Sequence, residues 1–132
     1  MLCVAARGVF DFAAAAMAAE LLRRQGFGVR ALPHGAMGRD NLPNLDLDGA
    51  RLVCVCGFDM DHAVPQLRFL VRRLRQRLPD VPVACVVWHG SVDHDGTGVD
   101  EYAPSFGALV RFVQQTAAAP ATPRPAAQTA AA

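Results

Sequence analysis

Three stretches of this chain, residues 2–6, 52–56 and 83–88, are almost unbroken runs of Leu, Val, Ala and Cys, the last ending in Trp88. A strand with one wet face alternates apolar and polar residues, so an unbroken run marks a strand covered on both sides, as strands of a parallel sheet are. Parallel neighbours cannot be joined by a hairpin and need crossover segments. The intervening sequence supplies them. Residues 11–26 predict a helix, with Arg23 and Arg24 in its last turn and Gly26 as its stop. Residues 63–78 predict a second, in which Val64, Leu67, Leu70, Val71, Leu74 and Leu78 form one apolar stripe, ended by Pro79. A weaker strand is expected at 29–32, stopped by Pro33, and a short one at 99–103. Residues 34–50 read as a connection with a short helix, one turn at most around 41–45. Ser105 caps a last helix with Phe106, Leu109, Val110 and Val113 on one face.

Right-handed crossovers force these helices onto both faces of the sheet. The expected architecture is therefore a flavodoxin-like doubly wound α/β fold, strand order 2-1-3-4-5, in three αβα layers. At 132 residues there is room for one domain, placed at 1–116. Residues 117–132, mostly Ala, Pro, Thr and Gln, read as a disordered tail.

Composition excludes several kinds of chemistry. A net charge of +1 rules against binding nucleic acid through charge alone. All thirteen basic residues are Arg, so a Walker-type phosphate lysine, a Schiff-base lysine and the lysine of a receiver domain are excluded. Cys3, Cys54, Cys56 and Cys85 lie inside apolar runs and read as reduced, buried thiols. Cys54-Val55-Cys56 lacks the spacing and the second ligand pair of a structural zinc site. With no leader signature and no apolar stretch near twenty residues, the chain is expected to be soluble and cytoplasmic. The run Arg68, Arg72, Arg73, Arg75 and Arg77 reads as a solvated helix face, available to an acidic partner or a negatively charged membrane surface. On that reading, reversing Arg72, Arg73, Arg75 and Arg77 to Glu leaves the fold intact.

In a sheet of this kind, ligands sit beyond the carboxyl ends of the strands. Three connections matter: residues 7–11, 57–62 and 89–97. The first, Arg7-Gly8-Val9-Phe10, has one Gly and one Arg but no hydroxyl, His or second Gly to cradle a phosphate. A flavodoxin would place hydroxyls and glycines there, and a receiver domain an acidic pair. The other two hold Asp59, Asp61, His62, His89, Asp93, His94 and Asp95. Imidazole and carboxylate together suit a divalent metal, while the same residue types are also ordinary in loops, with Asp61 favoured at a helix start. His34, beside Pro33 and Gly35, reads as solvated. Ser91 and Ser105 lack the glycine pattern of a nucleophile elbow.

The arrangement resembles the cobalamin-binding domains of the methionine-synthase and methylmalonyl-mutase kind. The shared features are strand one, an Ala-rich helix ending in Leu21-Leu22-Arg23-Arg24-Gln25-Gly26-Phe27-Gly28-Val29, and a third strand ending in Cys56-Gly57-Phe58. That family's Asp-x-His-x-x-Gly signature, whose His ligates cobalt, is absent: residues 6–11 contain no His. The later Ser-x-Leu and Gly-Gly elements are replaced by Gly57-Phe58-Asp59 and Trp88-His89-Gly90. Residues 26–30, 46–55 and 67–79 also look similar to degenerate cobalamin-binding-like domains found C-terminal to some permeases of the autoinducer-2 exporter family. These segments bear the fold rather than chemistry.

The resemblance implies a non-enzymatic sensory, regulatory or protein-interaction domain with a decayed cobalamin site. It would sit at the inner face of the membrane, through a parent or partner transporter. One alternative keeps cobalamin or another small ligand, bound without a protein imidazole, with Arg7, Gly8, Gly57, Phe58, Asp59, Trp88, His89 and Gly90 at the site. A second is a metal-assisted enzyme using Asp59, Asp61, His89 and His94. No nucleic-acid partner is expected, and a homodimer is left open.

Overall fold

A computed structural model describes residues 1–6, 9–38, 40–59, 64–89 and 98–118. Five parallel strands form one sheet in the order β2-β1-β3-β4-β5: β1 (Leu2–Ala5), β2 (Arg30–Leu32), β3 (Val53–Asp59), β4 (Val83–His89) and β5 (Glu101–Ala103). The helices are α1 (Val9–Arg24), α2 (Val64–Arg77) and α3 (Phe106–Ala118). The doubly wound fold expected from the sequence is the fold observed. β1 feeds α1 and then β2 in one direction, β3 feeds α2 and then β4 in the other, so right-handed crossovers place α1 and α2 on opposite faces. α3 returns to the face of α1.

The two faces have different side chains. Under α2 lie Leu2, Val4, Val53, Val55, Val83 and Cys85 from the strands, meeting Leu67, Leu70, Val71 and Leu74. Met37 and Leu47 complete this layer. They come from the connection between β2 and β3, which holds two short 3-10 turns, His34–Met37 and Leu42–Asn44. Under α1 and α3 lie Cys3, Cys54, Cys56, Ala84, Val86 and Ala103, meeting Ala14, Ala15, Ala18, Ala19 and Leu22 of α1 and Leu109 and Val113 of α3. Small side chains let α1 approach: its Cα atoms come within 8 Å of those of β1, β2 and β3, whereas the larger Leu and Val of α2 hold that helix further off.

Several boundaries differ from expectation. α1 begins at Val9, so Val9 and Phe10 are helical rather than part of a four-residue loop; neither breaks a helix, and Asp11 in the first turn suits the helix dipole. β3 runs three residues past its apolar stretch, because pairing with β4 continues through Gly57↔Val87 and Asp59↔His89. Gly57 and Phe58 therefore belong to the strand, as the resemblance implied, and Asp59, read only as part of the 57–62 connection, belongs to it too. Ser105 Oγ accepts a hydrogen bond from the Ala108 amide at 3.1 Å, the expected cap of α3. That helix reaches Ala118, two residues into the segment assigned to the tail; 119–132 lie outside the described residues.

The arginines of α2 are not simply a solvated face. Arg73 donates to the Met37 carbonyl at 3.1 Å and lies over the Phe69 ring, 4.3 Å from its centroid. Arg77 donates to the Leu45 carbonyl at 3.0 Å. Arg75 donates to the Val81 and Gly98 carbonyls and pairs with Asp100 at 3.0 Å. Asp100 Oδ2 also accepts from the Val83 amide at 2.8 Å. These contacts tie α2 to the β2–β3 connection and to the entries of β4 and β5, at the sheet's amino edge. Reversal of all four arginines would break them, which corrects the expectation that the fold would be indifferent.

Candidate functional site

At the carboxyl edge, β1 stops at Ala5 and the Ala6 amide still donates to the Cys56 carbonyl at 3.0 Å. β3 and β4 continue together beyond it as a two-stranded projection. The winding direction of the fold reverses between β1 and β3, the position where open α/β sheets place ligands. Asp11 occupies this crevice. Its side chain is 7% exposed, and its Oδ1 accepts a hydrogen bond from the Phe58 amide at 3.0 Å, linking the first turn of α1 to the end of β3. Strand alternation puts Phe58 on the α1 side with Cys54 and Cys56. Phe58 is 38% exposed and Phe10, in the first turn of α1, is 80% exposed, so two aromatic side chains are accessible at this edge.

The expected site residues divide as follows. Gly57 is buried within β3 and Phe58 lies at its exposed end, beside the Asp11 bridge. Asp59, Trp88 and His89 are placed by their backbone at the ends of β3 and β4, with Asp59 and His89 directly opposite in register. Arg7, Gly8, Gly90, Asp61 and His94 lie outside the described residues. His34 opens the 3-10 turn after β2 and is exposed. The Asp11 bridge was not foreseen: its partner is 47 residues away, and no local spacing signals it.

A separate, shallow hollow of about 380 Å³ lies on the outer side of α1 between Ala16, Met17, Glu20, Leu21 and Arg24. It belongs to the half of α1 remote from the carboxyl edge. No helix of the described residues is long and apolar enough to cross a membrane.

No protein-family model matches this chain, and no curated protein does. A solved structure does: the 1.5 Å crystal structure of a novel cobalamin-binding protein from Desulfitobacterium hafniense, with a TM-score of 0.65 and 15% sequence identity. The match covers 87% of this chain and 58% of that protein, so the chain spans little more than half of its length. The likeness establishes a cobalamin-binding-like, flavodoxin-like fold. As to the residues themselves, this edge offers the exposed side chains of Phe10 and Phe58. The 6–11 connection has no imidazole to ligate a metal.

Proposed function

We propose that this chain is a non-enzymatic regulatory or interaction domain built on a cobalamin-binding-like scaffold, acting beside a membrane transporter at the cytoplasmic face. One observation carries most weight. The crevice where such a fold holds its ligand is spanned by the hydrogen bond from the Phe58 amide to Asp11, and the aromatic side chains of Phe10 and Phe58 are exposed at the same edge. A main-chain donor that would meet a ligand is already satisfied from within the protein. The transporter association rests on the resemblance of residues 26–30, 46–55 and 67–79 to the domains appended to permeases.

Hydroxocobalamin mixed with the purified protein and passed through a sizing column tests this reading. A colourless protein peak is expected, and a coloured one overturns it. Exposed Phe10 and Phe58 favour the second reading in that event: cobalamin retained by contact with its ring, without a protein imidazole. Transmembrane helices encoded in the reading frame upstream of Met1 are the expected sign of the transporter association.

A further inference from the structure

Register and alternation bring three thiols together. β1 and β3 are parallel neighbours with Cys3 opposite Cys54 and Ala5 opposite Cys56, so Cys3, Cys54 and Cys56 all project to the α1 side. Cys85 belongs to the opposite face. The Sγ atoms of Cys54 and Cys56 are 3.7 Å apart, and all three Sγ atoms lie within 4.8 Å of one another. Three sulfurs bound pyramidally to one ion at about 2.3 Å, as a lone pair on the ion requires, stand about 3.4–3.5 Å apart, so the thiols need to close by only a few tenths of an ångström at the Cys54–Cys56 pair. We propose that Cys3, Cys54 and Cys56 form a three-sulfur site for a soft, three-coordinate ion, best filled by a trivalent metalloid such as arsenic(III).

Two physical arguments narrow the occupant. Coordination number is the first: among the described residues no fourth Cys, His or carboxylate joins the group, whereas structural zinc takes four protein ligands. Thiolate donors select soft ions. Charge is the second. The three cysteines are fully buried in a cluster that includes Ala14, Ala15 and Ala18 of α1, where an uncompensated charge is costly. Three thiolates and a trivalent ion sum to zero, while copper(I) with the same donors leaves two negative charges.

The exchange balances. Arsenous acid and three thiols give three As–S bonds and three waters, with no change in oxidation state.

The test is refolding of the full chain from urea with a phosphine reductant and arsenite, followed by intact-mass analysis and thermal melting. The expected result is a mass gain of one arsenic atom less three hydrogens, together with a higher melting midpoint. An ion bound to the folded site raises the midpoint, whereas one bound to thiols of the unfolded chain lowers it. Cys85→Ala should retain the mass gain and the shift; Cys56→Ala should lose both. An unchanged or lowered midpoint in the unsubstituted chain overturns the site, as does loss of the shift in Cys85→Ala. The unsubstituted chain decides the matter even if Cys56→Ala fails to fold. A larger midpoint rise with zinc, or displacement of arsenic by equimolar copper(I), overturns the choice of ion.

Discussion

The two faces of the sheet are covered by different means. On the α2 side, branched and long residues fill the space and arginines fasten the helix at its margins. On the α1 side, alanines and thiols let a helix lie close, and a single carboxylate anchors its first turn to β3. The difference teaches where each face is vulnerable. Where volume is large, deletion leaves a cavity; where volume is small, addition has nowhere to go.

The largest expected effect tests the first half of that contrast. Leu74, 1% exposed, replaced by Ala should cost about 2–5 kcal/mol in urea unfolding. Overfilling the other face comes next: Ala18→Leu, at a position with no exposure, should cost about 1–3 kcal/mol, and a neutral result would refute the close approach of α1. Arg75→Ala removes a guanidinium that is 11% exposed and paired with Asp100, and should cost about 1.5–3 kcal/mol. Exposed Arg72→Ala should stay within about 0.5 kcal/mol, and equal losses at the two sites would erase the distinction between fastening and solvated arginines. Asp11→Ala removes the carboxylate acceptor of the Phe58 amide and should cost about 1–2 kcal/mol, with faster amide exchange at Phe58.

A last effect, confined to alkaline solution, is a pH dependence. Burial, and secondarily the Asp11 charge, push the Cys85 thiol from 9.0 up to about 12. The folded chain then holds this proton where the unfolded chain releases it, so the contribution is intact below pH 9 and is lost as pH rises toward 12. Urea midpoints measured across that window should fall more steeply for the unsubstituted chain than for Cys85→Ala. Parallel slopes would remove Cys85 as the cause.

The architecture was legible because apolar runs, helix stripes and terminators each report a local property. The far end of β3 was less so, since Gly57-Phe58-Asp59 holds a single apolar residue and is extended by its pairing with β4. The role of the α2 arginines was hidden for a related reason: sequence shows a charge on a helix but not the carbonyl it reaches across the fold. Cys3 lay within reach of inference. Strand order 2-1-3-4-5 puts β1 beside β3, and that adjacency alone brings Cys3 to the Cys54-Val55-Cys56 segment. Spacing along the chain, by contrast, separates them widely. The Asp11 bridge had no such signal, because it depends on how closely a particular helix settles on the strands.

Both outermost strands, β2 and β5, are three residues long, and each is followed directly by a proline, Pro33 and Pro104. Neither border therefore presents a long ladder of free amides and carbonyls on which a foreign strand could zip. Concentrated solutions of this protein should resist fibril growth through sheet extension, whatever other contacts its copies make.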